Sequence, residues 1–234
     1  MRTSAAPSCP VRLVPVVLAL ALAVLAGCSP TTTTATLSAA DDTAELAPGW
    51  NGVAVEGTPE MPTHTFTDTD GRPFDLRAAM ADRATLVYFG YTHCPDICPV
   101  HLANIAAALD QSSVRAEDVN VVLVTVDPER DTVAVLDDFV HTFDRSFIAL
   151  RTSRAEVERV ITELGMPAPV IEGDPDSDDY TVGHPPQVLA FDHQGRARLA
   201  YPFGTRQSQW VEDLPKLARS DPPWGDEAMA SADR

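Results

Sequence analysis

Two segments of the chain are apolar at nearly every position. Residues 84–92, ATLVYFGYT, and 118–127, DVNVVLVTVD, combine aromatic and β-branched side chains with little polar alternation. A strand covered on both faces has that signature. Between and after them the period changes. Within PVHLANIAAALDQ, Leu102, Ile105, Ala106 and Leu109 recur at helical spacing. RDTVAVLDDFVHTF predicts a second helix with Asp131 at its N-cap, and Asp137 and Asp138 on its surface. FIALRT is a short strand. SRAEVERVITELGM predicts a third helix, opened by Ser153 with Glu156 three residues on and closed by Gly165.

The flanking segments read as hairpins. THTFTDTDGRPFDL predicts two short strands around Asp70–Gly71. QVLAFDHQGRARLAYPF predicts a strand, a turn at Asp192–Gly195 and a second strand. TRQSQWVEDLPKLAR closes the domain as a helix packed through Trp210 and broken near Pro215. Helices alternating with buried strands predict an α/β fold: a mixed, partly parallel central sheet, helices on both faces, and an N-terminal β-hairpin extension. The domain is expected over residues 61–219, with a polar tail at 220–234.

The N-terminus is organised differently. Arg2 and Arg12 precede a run of 14 apolar residues, LVPVVLALALAVLA at 13–26. That is short for a membrane span and right for the apolar region of a secretory signal. The run ends in LAGC, residues 25–28, which resembles a bacterial lipobox. In that reading residues 1–27 are a lipoprotein signal peptide and Cys28 is lipidated and becomes the new N-terminus. Two acyl chains then hold the protein on the extracytoplasmic face of the cell membrane. The alternative is an ordinary secretory signal with an unrelated cysteine. Residues 28–60, rich in Thr, Ala, Pro and Gly, are expected to form a flexible tether.

Charge narrows the partners. A formal net charge of −17 argues against nucleic acid, whose phosphates would repel the chain. EGDPDSDDY, residues 172–180, places five acids in nine positions. Asp174, Asp176 and Asp178 match the start of a calcium loop, but its Gly and its closing Glu are missing. A solvated loop is expected there.

The chain has four cysteines. Cys9 leaves with the signal peptide and Cys28 is taken by lipid, so Cys94 and Cys98 remain, spaced C-x₃-C in GYTHCPDICPVHL. In an oxidising compartment such a pair predicts a disulfide, a metal site or both. It lies where a buried strand gives way to a helix, the edge at which α/β sheets collect ligands. Pro99 excludes a helical Pro95, so regular helix is expected from Pro99, with Cys98 at or near the cap and Cys94 on the loop before it. The positive helix end favours thiolates. Two thiolates suit Cu(I) or Zn and need a further ligand. His93 adjoins Cys94, where neighbouring side chains point apart. His101 follows Cys98 by one turn and equally suits a surface role. His184, in DYTVGHPPQVLAFD, stands just before a predicted core strand.

Taken together, VYFGYTHCPDICP, VTVDPERDT (residues 124–132) and a His shortly before a late strand resemble the Sco/SenC family, over about Met61 to Leu217. The resemblance implies a thioredoxin-like fold and a membrane-attached copper metallochaperone that helps assemble the dinuclear copper site of cytochrome c oxidase. It implies Cys94, Cys98 and His184 as ligands of a copper ion, Cu(I) or Cu(II), and a Cys94–Cys98 pair able to form a disulfide. Asp127 would lie on a loop near the metal. The implied partners are the copper-site subunit of the oxidase and another copper chaperone or a thiol reductant. One departure stands out: the family usually has Asp-His followed by Ser or Thr, where this chain has Gly183-His184-Pro185-Pro186. Gly183 removes a carboxylate neighbour. Pro186 occupies the place where thioredoxin-like folds often hold a cis-proline.

The chemistry is coherent on its own terms. Two thiolates favour Cu(I), and an imidazole lets the site also hold Cu(II). Oxidation of the thiols removes two ligands at once, which links metal binding to redox state. The alternative is a thiol-disulfide oxidoreductase that reduces the oxidase subunit's cysteines before metallation, using Cys94 and Cys98 as a redox pair and not requiring His184. A thiol peroxidase would need an activating Arg near the motif, and none is close in sequence. A zinc site built on two cysteines and one histidine is thin.

Overall fold

The computed structural model describes residues 46–115, 117–177 and 179–219. The signal peptide, Cys28, the first part of the expected tether and the 220–234 tail lie outside the described residues. The strands are β1 (Val53–Ala54), β2 (Thr65–Thr67), β3 (Pro73–Asp75), β4 (Ala84–Gly90), β5 (Val119–Thr125), β6 (Ile148–Leu150), β7 (Val170–Glu172), β8 (Thr181–Gly183), β9 (Val188–Phe191) and β10 (Ala197–Tyr201). The helices are α1 (Leu76–Ala79), α2 (Ile97–Gln111), α3 (Val133–His141), α4 (Arg154–Glu163) and α5 (Gln207–Leu217).

The central sheet runs β1-β10-β9-β4-β5-β6. β4, β5 and β6 are parallel, while β9 lies antiparallel to β4 and β10 antiparallel to β9. Every residue of β4 and of β5 is buried. Side chains alternate between faces, so complete burial means that both faces of the sheet are covered. α2 and α5 pack together, and Gln207 Nε2 donates to Ala107 O at 3.3 Å. α3 packs beside β6. Among the described residues no helix is long and apolar enough to cross a membrane.

Local signals account for most elements. Ser153 Oγ accepts from Glu156 N to start α4, and Gly165 ends it at φ +75°. The β2–β3 hairpin turns at Gly71, φ +76°, with Asp68 N donating to Arg72 O at 3.0 Å. Paired backbone bonds between Thr67 and Arg151 tie that hairpin to the chain just after β6. Trp210 is buried and stacks on Tyr201, ring centroids 4.2 Å apart, as its place on the last helix predicts.

Three expectations change. Residues 46–60 are not tether: β1 pairs with β10, and Val55 N, Ala197 N and Met61 N continue the ladder to Arg198 O, Pro59 O and Gly195 O. They cover an otherwise open sheet edge. Helix α5 is not broken at Pro215. The proline sits in its last turns, where its ring removes one main-chain bond and the helix closes normally through Ala218 N to Leu214 O at 2.9 Å. Asp131 does not cap α3. Thr132 Oγ1 does, accepting from Val135 N, while Asp131 is buried and accepts from Thr125 Oγ1 at 2.5 Å and Thr92 Oγ1 at 2.6 Å.

Candidate metal centre

β4 ends at Gly90, and the chain turns through residues 91–96 into α2. The helix starts at Ile97 with Asp96 as its cap, two residues earlier than Pro99 predicts. Pro99 is therefore the third helical residue. The residue four before it, Pro95, lies outside the helix, so the ring meets no helical carbonyl. Its missing N–H is one that a first turn leaves unpaired anyway. Cys98 thus sits inside the first turn, and its N–H donates to Cys94 Sγ at 3.4 Å. Both sulfurs stand at the positive end of the helix.

His184 reaches them by sheet register. β9 pairs antiparallel with β4, Val188 opposite Tyr88. The residues just before β9 therefore return to the end of β4 from which the cysteine loop leaves. His184 Nε2 lies 3.4 Å from Cys98 Sγ. Its Nδ1 is 3.1 Å from Pro185 O, which places the proton on Nδ1 and points the Nε2 lone pair at the sulfurs. The ligand atoms of Cys94, Cys98 and His184 all lie within 4.8 Å of one another. Metal–sulfur and metal–nitrogen bonds of about 2.0–2.3 Å let one ion bridge that span. Two soft sulfurs and an imidazole suit a soft or borderline metal.

The other histidines fall elsewhere. His93 is exposed, its Nδ1 3.1 Å from Thr92 Oγ1 and 3.8 Å from Asp131 Oδ1. His101 is 2% exposed rather than on a surface face, with Nε2 2.8 Å from Pro186 O. No described peptide bond is cis, so Pro186 is trans.

The two thiols differ. A hydrogen bond from Cys98, helped by the backbone N–H groups of Asp96 and Cys98, brings Cys94 down to about 4 against the opposing effect of burial. Burial pushes the Cys98 thiol up, as does its role as donor to Cys94. The two thiols are therefore driven in opposite directions, Cys94 toward thiolate and Cys98 toward the neutral thiol. Cys94 is also the more accessible, at 8% exposed against 0%. Both are free thiols.

Several residues that build the site were not singled out by the sequence. Tyr88 Oη donates to Cys98 Sγ at 3.5 Å, and its ring lies 5.8 Å from the His184 ring. Tyr91 packs edge-on against His184 at 5.7 Å, and its Oη accepts from Val182 N at 3.2 Å. A Cβ on Gly90 would come within 2.9 Å of Cys98 Sγ and of Tyr88 Cε1. The available signal was there: Tyr88 and Gly90 share one face of β4, and a lone glycine in a bulky strand marks close approach.

Asp127 is fully buried at the end of β5. Arg130 Nε donates to its Oδ2 at 2.5 Å, and Tyr180 Oη donates to its Oδ1 at 2.6 Å. Arg130 also donates to Tyr180 O at 3.0 Å and lies 3.5 Å above the Tyr180 ring. Tyr180 immediately precedes β8, the strand that delivers His184. The VDPER stretch thus holds the approach to His184. His93, Asp127 and Asp131 also gather ligand-type atoms within 4.8 Å. Arg130 and Tyr180 occupy the Asp127 oxygens, and Thr92 and Thr125 those of Asp131, so this cluster acts as a brace between loops.

The sequence profile of the SCO1/SenC family matches residues 54–219. The chain belongs to the SCO1/SenC family. An SCO2-like protein of Rickettsia prowazekii is 34% identical over 115 residues, covering 48% of this chain and 55% of that one. The chain spans about half the length of the curated relatives it matches. Bradyrhizobium japonicum ScoI, solved with copper bound, is 29% identical and covers 68% of this chain and 99% of that one, with a TM-score of 0.59. Arabidopsis thaliana ScoI, also solved with copper bound, is 28% identical, covers 69% and 99%, and has a TM-score of 0.60. The SCO1/SenC match and these structures establish the thioredoxin-like architecture. The SCO1/SenC profile begins at Ala54, inside β1, so it too reaches into the segment expected to be tether.

Proposed function

We propose that this protein is a copper carrier that binds one copper ion through Cys94, Cys98 and His184 and helps assemble the copper centre of cytochrome c oxidase. The observation that carries the reading is the convergence of two sulfurs and one imidazole nitrogen within 4.8 Å. The copper-bound relatives support the choice of metal. Three protein ligands at the end of the central strands leave a coordination position for a receiving partner, which a closed four-ligand cage does not. The lipobox-like LAGC segment supports attachment through Cys28 on the extracytoplasmic face, with residues 28–45 as the tether. Copper would pass to the copper-site subunit of the oxidase, supplied by another copper carrier.

The thiol asymmetry favours a second reading, reduction of the oxidase subunit's cysteines. The Cys94 thiolate would attack one sulfur of a target disulfide, and the target's other sulfur would leave as thiolate. Cys98, once deprotonated, would attack Cys94 in the mixed disulfide. The target departs as a dithiol, and its two electrons have come from the Cys94–Cys98 pair, now a disulfide.

Titration of the reduced full chain with Cu(I) and Cu(II) separates the two. The carrier reading expects one copper per chain, a sulfur-to-copper charge-transfer band for Cu(II), and a large loss of affinity in His184→Ala. Unchanged copper binding in His184→Ala removes the histidine from the site. Full disulfide reductase activity with no copper affinity favours the second reading.

A further inference from the structure

We infer that His101 is the positioning residue that fixes His184 over the two sulfurs, through its hydrogen bond to Pro186; the inference rests on the three-ligand reading above.

His101 lies one turn beyond Cys98 on α2, and its ring Nε2 is 2.8 Å from the carbonyl oxygen of Pro186. A carbonyl only accepts, so Nε2 carries the hydrogen. The ring is held between Tyr88, at 5.1 Å, and Phe203, at 5.6 Å. The donor therefore has little freedom to turn away.

The segment it grips has few other means of anchoring itself. Pro185 and Pro186 have no N–H, so the backbone beyond His184 offers carbonyls for capture and no donors. One of those carbonyls, Pro185 O, is engaged by His184's own Nδ1. The other is taken by His101. Gly183 provides no side chain on the opposite flank. Upstream, the β7–β8 ladder ends with Gly183 opposite Val170, and Val182 N donates to Tyr91 Oη; between Gly183 and the start of β9 the His101 bond is the tie to α2. The His101 bond thus refers the third ligand to the helix that carries Cys98, and both ligands move with one rigid element. A buried histidine with one hydrogen bond is most often a satisfied core residue. Here the bond ends two residues from a ligand, and its length sets where that ligand's ring can lie.

The test uses the full chain carrying His101→Phe, His101→Gln, His101→Asn or His184→Ala. Phe keeps the ring contacts with Tyr88 and Phe203 and loses the donor. Gln keeps an N–H at similar reach, and Asn is too short. Each is loaded with one equivalent of Cu(II) for nitrogen coupling by electron paramagnetic resonance and for the sulfur charge-transfer band. Cu(I) affinity is read by competition with a chromophoric chelator, and folding by thermal melting.

In His101→Phe the sulfur band should persist while nitrogen coupling weakens and Cu(I) affinity falls about tenfold, the lower end of what loss of a ligand-orienting bond costs. Gln should restore both, and Asn should not. Native coupling and affinity in the Phe variant overturn the inference, as does a Gln variant no better than Asn. The Gln–Asn comparison decides the matter if Phe does not fold. Loss of coupling in Gln and Phe alike, with its survival in His184→Ala, would make His101 itself the ligand and overturn both this inference and the three-ligand reading. Loss in His184→Ala with native coupling in every His101 variant overturns this inference alone.

Discussion

Tyr180 and Asp127, 53 residues apart in the chain, meet through a 2.6 Å hydrogen bond from the phenol to carboxylate Oδ1. The contact joins the loop after β5 to the residue that leads into β8. Asp127 also holds Arg130 at 2.5 Å and lies 3.6 Å from Arg154. Asp127→Ala would take the carboxylate from a largely buried Arg130 and from Tyr180 and leave a cavity between them. Removing one partner of such a pair costs about 3–5 kcal/mol. Tyr180→Phe removes only a donor to a carboxylate and costs about 1.5–3 kcal/mol. Urea unfolding of the two variants should therefore rank Asp127→Ala as the more damaging, and equal midpoints would contradict the bracing role.

Gly90 sets how closely the sulfur of Cys98 approaches the sheet. An added Cβ would stand 2.9 Å from that sulfur, 2.9 Å from Tyr88 and 3.3 Å from Leu123 Cδ1. Each neighbour is fully or nearly fully buried, so none can swing away. Gly90→Ala should lower stability by about 1–3 kcal/mol. It should also weaken metal binding, because the displaced atom is one of the three proposed ligands. Calorimetry and metal stoichiometry on the same variant check both. An intact site with native stability would show that the cysteine loop relaxes freely.

How far these features could be read in advance depended on whether the signal was local. The apolar runs of β4 and β5 and the caps of α4 are local, and they appear where the sequence places them. β1 is two residues long and carries no alternation, so nothing marked it until β10 lay beside it. The β7–β8 hairpin was hidden by the acidic stretch between its strands and by its exposed side chains. Asp131 has the composition of a cap, and only tertiary partners 39 residues away, at Thr92, make it a buried acceptor. At the site, the cysteines were legible from spacing. His184 was selected from three histidines by family resemblance, because its proximity depends on the β4–β9 register. Tyr91 and His101 could not be placed without that same register.

The unequal thiols predict how stability varies with pH. Cys94 titrates at about 4 in the folded protein, held down chiefly by the bond from Cys98, against roughly 8.5 in an unfolded chain. A group whose folded pKa is depressed contributes stability above its unfolded value and loses it as pH falls toward its folded value. This contribution is complete above about pH 8.5 and disappears toward pH 4. Burial raises Cys98, so above about pH 8.5 its unfolded thiol ionises first and stability declines. In Cys94→Ser the rise between pH 5 and 8 should flatten relative to the native chain, by denaturant titration at each pH. Alkylation with iodoacetamide offers a second check: Cys94 should react readily near pH 6 while Cys98 stays protected. Equal rates at the two positions would refute the asymmetry.

The segment before the first hairpin should be required for stability, although its composition reads as linker. Trp50 and Ala47 are buried, and Lys216 Nζ lies 5.1 Å above the Trp50 ring. Asn51 N donates to Asp213 Oδ2 at 2.8 Å, and Asn51 Nδ2 reaches Asp213 Oδ1 at 3.2 Å. Asp213 is fully buried on α5 and also accepts from Tyr201 Oη at 3.0 Å and Lys216 Nζ at 2.7 Å. Beginning the chain at residue 61 would expose the β10 edge, uncover the surface under Trp50 and take two donors from a buried carboxylate. Burial of one aromatic side chain and loss of hydrogen bonds to a charged group together amount to about 3–5 kcal/mol. For a domain of this size that corresponds to a melting point lower by roughly 6–20 °C. Melting of chains that begin at residue 46 and at residue 61 tests the point directly, and Asp213→Asn in the longer chain should reproduce only part of the loss. If the two chains melt together, the pairing of β1 with β10 adds nothing to stability.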